Sequence, residues 1–496
     1  MSLSKKFTSG LFWNFIGKII IGLFGAIISI LIARKLGKAD LGLYATIISI
    51  SATLRLFTSF GFETILNIKL PSLQTVGKAK EKMRYLIRKF LFYRIGIIFL
   101  IAVILYLAEP LLKGFFKEVD FSRYLPLITL YLFTLMIFSY ITMIFRALLK
   151  IKFVSILEGI NQLINLLFLI LFFLIGFRVA GVLNAFIIST TISIFILVLL
   201  GKDYIFGNTV SIKIKESYEI GLAAALSSFI TFGLGTQADV IIMNGFGVPK
   251  EEIGLYFLCF SLISMMSFPL QGIGALSQSV FSEIYTREGS SGLALSWSMV
   301  TKIVVLLLIP IYIFAIFNAN IIIELLYGNR FSAATAYFKI FAIFHSIRIL
   351  VGSSFCTPVF YLIQRKALAL KIQFFGGILN IVLNIILIPK YGVWGVVVAT
   401  GFSQSLNGVI GMLFVRYHIK TEFPLTFDLN ILLACFVALW PAVLIDGSSF
   451  ISLILKVMVY GTVFIVMLFL LKPLDDKARD FAKNIDNRIF ALAKFF

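Results

Sequence analysis

About fourteen apolar segments of roughly 20 residues or more follow one another through this chain, and each is long enough to cross a bilayer. The spans read as 9–34, 40–68, 85–108, 124–149, 152–176, 179–200, 217–246, 251–276, 293–317, 333–361, 366–389, 392–414, 428–446 and 450–472. Inside hydrocarbon every backbone N–H and C=O must find its partner within the chain. Segments of this length meet that demand as helices, so the predicted class is an all-α integral membrane protein. A mean hydropathy of +1.03 with only 14% charged residues agrees, because lipid-facing surface requires such a balance. The connections are short and leave no room for an extramembrane domain.

A net charge of +21 raises the question of a polynucleotide partner. The placement of the charge answers it. With the N-terminus inside, the inner segments hold 27 Lys and Arg and the outer segments 10. That bias predicts both termini on the cytoplasmic side of the cell membrane, with the basic residues facing anionic lipid and no nucleic acid bound. Lys5 and Lys6 precede a run that ends in Ala33, Arg34 and Lys35 with no small-residue cleavage site, which predicts a retained first span. Cys259, Cys356 and Cys435 fall in apolar runs and read as small buried hydrophobes. With only His345 and His418 besides, no metal-ligand spacing exists.

Two echoes divide the chain. Leu41-Gly42-Leu43-Tyr44 with Ser49 returns as Ile253-Gly254-Leu255-Tyr256 with Ser261, 212 positions later. Asn161 and Asn165 return as Asn380 and Asn384 at an offset of 219, with Arg146/Arg365 and Lys152/Lys371 in register. Six spans per half preserve orientation, so the repeat is parallel, with its pseudo-two-fold axis along the membrane normal. The expected organisation is an N-lobe over 1–212, a C-lobe over 213–422, two added helices over 423–472 and a basic amphipathic cytoplasmic tail over 473–496. A fold that repeats itself inside one membrane chain usually encloses a path between its halves, which points to a transporter.

Charged side chains inside spans cost at least ~2.5 kcal/mol by insertion scales and need a partner or a wet cavity. Span 2 places Ser51, Arg55, Ser59, Glu63 and Asn67 at four-residue steps, a slowly spiralling polar stripe. Asn14, Lys18, Gly22, Gly25 and Ser29 give span 1 a small and polar face. Span 7 carries Ser227, Thr231, Gly235 and Asp239, with Gln237 beside them; span 10 carries His345 and Arg348. We expect these four helices around a water-filled cavity. There Lys18, Arg55 and Arg348, with Asn14 and Ser59, would bind an anionic headgroup. Asp239 and Glu63 would bind a coupling Na⁺ or H⁺, or neutralise a nearby Arg.

The same residues also suit structural roles. Serine and glycine in a span serve close helix packing, and a lone intramembrane Arg or Asp can belong to an ion pair. Arg94 and Glu158 lie near enough to the inner interface to snorkel. Lys302, Lys339 and Lys456 fit either role. His345 reads as a hydrogen-bonded packing residue. The paired asparagines read as interhelical hydrogen-bonders, and Pro269, Pro310 and Pro358 as bends.

The run from Asn380 through Asn384, Pro389, Gly392, Trp394 and Gly395 to Thr400 resembles the span 11–12 signature of Wzx-like polysaccharide flippases. These belong to the multidrug/oligosaccharidyl-lipid/polysaccharide (MOP) exporter superfamily. The stretch from Ala33 to Tyr44, with Gly37, Asp40 and Gly42, is similar to their other recurrent segment. The resemblance covers the whole chain and implies a MATE- and MurJ-like fold of two six-helix lobes plus two helices. It further implies flipping of a polyprenyl-diphosphate-linked glycan to the outer leaflet by alternating access. An ion gradient would drive the cycle, no other cofactor would be needed, no bond would be made or broken, and glycan-assembly proteins would be partners.

Rival readings remain within reach of the sequence. A MATE-type exporter of drugs or cations shares the fold, although cationic substrates favour an acidic cavity over one rich in Arg and Lys. A MurJ-like lipid II flippase shares the architecture. A membrane glycosyltransferase or polymerase would need a long outer loop with catalytic acids, and the segment near Glu109–Arg123 is too short.

Overall fold

The computed structural model describes residues 3–59, 61–74, 77–116, 121–212 and 215–473. The expected amphipathic tail from Leu474 onward lies outside the described residues, as do the side chains of Asn14 and Ser59. Among the described residues the chain is helical with no strand. The all-α membrane class is therefore the observed one. Ten helices are long and apolar enough to cross a membrane, or eleven if a pair bent by 53° (Ala334–Leu350 and Ser353–Leu362) is one span.

The chain clusters into two compact units, Met1–Phe257 with Ile388–Val393, and Leu258–Leu387 with Trp394–Phe496. The first holds α1 (Leu3–Leu36), α2 (Lys38–Ser59), α3 (Phe62–Leu73), α4 (Ala79–Leu107), α5 (Glu109–Phe115) and α6 (Phe121–Ala147). It continues with α7 (Ile151–Leu174), α8 (Val179–Leu200), α9 (Lys202–Ile205), α10 (Lys215–Phe232) and α11 (Thr236–Gly245). The division falls inside α12 (Lys250–Met266). The second unit holds α13 (Phe268–Phe317), α14 (Ala319–Tyr327), α15 (Ala334–Leu350), α16 (Cys356–Leu362), α17 (Lys366–Tyr391), α18 (Val393–Ile419), α19 (Leu425–Val443) and α20 (Phe450–Leu471).

Four spans expected to be continuous are broken: 2, 7, 8 (at Ser267, between α12 and α13) and 10, although span 2 stays long and apolar enough to cross through Lys38–Thr58. Span 2 parts at Gly61, whose φ of 71° is left-handed. A Cβ there would collide with the backbone of Gly221 on α10, within 2.5 Å of its Cα. Only a residue without a side chain fits both the turn and the crossing. Span 7 stops at Phe232 and restarts after Gly235, and span 10 breaks at Gly352, again left-handed at φ 61°. The polar stripe of span 2 is accordingly not one line. Ser51 is buried, Arg55 and Asn67 are exposed, Glu63 is half-buried, and the break separates the last two from the rest.

Packing elsewhere follows the expected chemistry. The three cysteines are buried and free. Ser193 of α8 donates to the buried Asn161 amide oxygen of α7 at 3.1 Å, the interhelical bond expected of that pair. The Asn384 amide donates to Asn380 at 3.4 Å, a bond within one helix. In the second unit α19 packs on α20 and on α13, and the Tyr460 hydroxyl donates to the Pro310 carbonyl at 3.0 Å.

Candidate functional site

Three of the charged residues singled out from the sequence lie at helix breaks. Glu63 lies two positions after Gly61, in the first turn of α3. Asp239 lies four positions after Gly235, in the first turn of α11. Arg348 lies four positions before Gly352, in the last turn of α15. In each case the sign complements the helix end, acid at the positive N-terminus and base at the negative C-terminus. Breaking a span thus produces the half-helix ends that make a buried charge tolerable.

In the first unit Asp239 is fully buried and accepts a hydrogen bond from the Tyr256 hydroxyl of α12 at 2.6 Å. One turn along α11, the Asn244 amide donates to the Thr46 hydroxyl of α2 at 3.1 Å and to its own Val240 carbonyl at 2.8 Å. Thr46, Asn244 and Tyr256 were not singled out from sequence as polar-site residues. The available signal was that Tyr256 belongs to the repeated motif.

The two copies of that motif meet. A Cβ on Gly42 would strike the Lys250 carbonyl group and lie 3.1 Å from the Gly254 nitrogen. A Cβ on Gly254 would strike the Lys38 carbonyl and lie 3.0 Å from the Gly42 nitrogen. The helix starts α2 and α12 touch backbone to backbone in a near-symmetric pair. Tyr44 meets Phe257 edge to face with centroids 5.9 Å apart.

Glu63 is the counter-ion of Arg94. The guanidinium Nη1 lies 2.7 Å from Oε1, and the Arg94 side chain is 0% exposed. Its other nitrogen reaches the Met136 sulfur at 3.5 Å, its carbon lies 5.5 Å from the Tyr140 ring centre, and Ser139 donates to Glu63 at 3.3 Å. Arg94 therefore does not snorkel as expected. A carboxylate one helix away holds it inside, because a buried cation needs a partner more than it needs the interface. Glu158 does not reach out alone either, since Arg146 binds both its oxygens at 2.6 and 2.7 Å.

Lys18 is half-exposed and lies within electrostatic range of that Arg146–Glu158 pair. Arg55 is exposed on α2, within electrostatic range of Tyr131. Lys18, Arg55 and Glu63 thus have three different sets of neighbours in the first unit.

In the second unit Arg348 is half-buried and donates to Gln404 of α18 at 2.5 Å, with His345 Nδ1 3.3 Å away. His345 Nε2 lies 3.0 Å from the Ser267 hydroxyl, which lies 2.6 Å from the Tyr312 hydroxyl. The Tyr312 ring stacks on His345 at 5.5 Å and 15°. His345 is a hydrogen-bonded packing residue that anchors Arg348. Ser267, Tyr312 and Gln404 were not read from sequence, being far apart along the chain.

Charged residues at broken spans of a helical membrane fold define a polytopic membrane protein, and known proteins share that fold. The polysaccharide biosynthesis protein family matches residues 7–284, more than half of the chain, and the chain belongs to that family. The fold matches the inward closed conformation of lipid II flippase MurJ with a TM-score of 0.72 and 17% identity, over 92% of this chain and 97% of that one. It matches an inward-facing multidrug resistance MATE transporter of the MOP superfamily with a TM-score of 0.63 and 13% identity, over 82% and 98%. A probable low-salt glycan biosynthesis flippase, Agl15 of Haloferax volcanii, is 22% identical over 37% of this chain. That match spans 39% of the relative's own length. The MATE- and MurJ-like fold expected from the sequence is the one these structures share, and these relatives are transporters and flippases.

Proposed function

We propose that this protein flips a polyprenyl-diphosphate-linked oligosaccharide from the cytoplasmic to the outer leaflet of the cell membrane. The observation that carries the reading is the set of cations on the spans themselves. Arg55 stands exposed on a membrane helix, Lys18 is half-exposed, and Arg348 sits at a helix break. Exposed cations on a span are costly unless something anionic or aqueous meets them. A diphosphate–sugar headgroup cannot cross hydrocarbon unaided, whereas its isoprenoid chain never has to leave lipid. Membership in a polysaccharide biosynthesis family supports the glycan, and the 27-to-10 Lys and Arg bias supports cytoplasmic termini. In this reading Lys18, Arg55, Arg348, Asn14 and Ser59 contact the headgroup, and glycan-assembly proteins supply it.

Protein reconstituted in vesicles should move a fluorescent polyprenyl-diphosphate oligosaccharide between leaflets. Arg55→Glu should slow this about tenfold or more, since it replaces an attraction for the diphosphate with a repulsion. Wild-type flipping by a well-folded Arg55→Glu protein would remove Arg55 from the site. Export of an organic cation with no flipping would favour the drug-exporter reading.

For coupling, the buried Asp239 is the carboxylate proposed to take Na⁺ or H⁺. Imposed Na⁺ or pH gradients should accelerate the wild type and leave Asp239→Asn unresponsive. A wild type indifferent to both gradients would reject an ion-driven cycle.

A further inference from the structure

We propose that a cavity at one end of the second unit is a seat for a phosphate-bearing anion, separate from the translocated headgroup. The cavity measures about 640 Å³ and is lined by Lys302 of α13, Lys420 and Thr421 between α18 and α19, Thr426 and Asn430 of α19, and Lys472 at the end of α20. Three lysines therefore line one hollow, and Glu422 is the only acid among the described residues of its wall.

The lysines are placed by the fold in two different ways. Lys302 is buried at 7% exposure, within electrostatic range of Asp428, itself buried in the first turn of α19. The Lys302 ammonium also lies 5.9 Å from the ring centre of Phe427, which lines the same wall. Lys420 and Lys472 are exposed, and each terminates a helix in the left-handed region, at φ 52° and 43°. Glycine is the ordinary residue for such a helix end. A side chain there is strained, and here both positions carry a lysine that lines the same cavity.

The chemistry selects the ligand. Lysine ammoniums act as point charges toward oxyanions, and the Thr426 hydroxyl and the Asn430 amide can complete the shell, the Thr421 hydroxyl being committed to the Ala294 carbonyl at 3.4 Å. The N-terminal turn of α19, whose residues Leu425 to Phe427 also line the wall, adds a positive dipole end. A phosphate group fits this set, and an apolar chain does not. Two sources carry it, the headgroup of an anionic phospholipid and free phosphate. The site requires no transport step, so its failure would leave the flippase reading untouched.

The test uses full-length protein in phosphatidylcholine nanodiscs, with phosphatidylglycerol and inorganic phosphate as probes read by native mass spectrometry. Phosphatidylglycerol should bind the wild type and weaken about tenfold or more in Lys420→Gln/Lys472→Gln, taking the contribution of each interfacial lysine as sizeable. Glu422→Gln should tighten it. Lys78→Gln/Lys80→Gln removes the same charge from the first unit and should leave binding unchanged. If inorganic phosphate displaces the lipid, the source includes free phosphate; if it does not, the seat is a lipid site. Equal weakening in both double variants, or no binding of either probe, would overturn the proposal.

Discussion

Arg94→Met should destabilise the solubilised protein by about 3–5 kcal/mol in equilibrium unfolding, nearer the lower figure because Glu63 keeps 20% exposure. The loss comes less from the missing ion pair than from the carboxylate left half-buried without its cation. Adding Glu63→Gln should therefore recover more than half of it, since a neutral amide tolerates the site. Met136 and Tyr140, which now contact the guanidinium, would pack against the methionine side chain. The cycle of two singles and the double gives the coupling directly. Additive effects would show that the pair contributes nothing as a pair.

Gly42→Val should destabilise the protein by about 1–3 kcal/mol, the usual range for forced overpacking, and under the proposed function should slow flipping about tenfold or more. The obstacle is backbone. The Lys250 carbonyl carbon would lie 2.7 Å from the new Cβ, and neither it nor the Gly254 nitrogen can rotate aside. The helix starts must separate. Because Gly254→Val forces the same separation from the other side, the double variant should be little worse than either single. A double that sums the two losses would mean that the glycines act independently. Gly25, with nothing within 4 Å of its added Cβ, is the matching control, and Gly25→Ala should be neutral within about 0.5 kcal/mol.

The residues legible in the sequence were those whose meaning is local. Long apolar segments announced membrane helices, because hydrocarbon leaves the backbone no alternative. The repeated glycines and tyrosines marked positions that matter, although their offset could not say that the two copies touch. Asn161 was read as an interhelical bonder and is one. The breaks at Gly61 and Gly352 escaped notice, since a single glycine inside an apolar run looks the same whether it packs or turns. The left-handed turn and the crossing of α10 at Gly221 together make Gly61 obligatory.

The partner of a buried charge was the least legible feature. Glu63 and Arg94 are 31 positions apart, and Arg348 and Gln404 are 56 apart. Either arginine could have reached toward water or inward, and nothing nearby in the chain decides between these.

By itself the sequence determined the solvent and the general form: an all-helical chain in a bilayer, repeated within itself, with cations on spans where cations are costly. Tertiary structure decided which of those charges are neutralised, which glycines are contacts and where the spans break. The reason is physical. Hydropathy acts on each segment separately, whereas ion pairing and backbone contact depend on distances between segments that no pattern along one helix encodes.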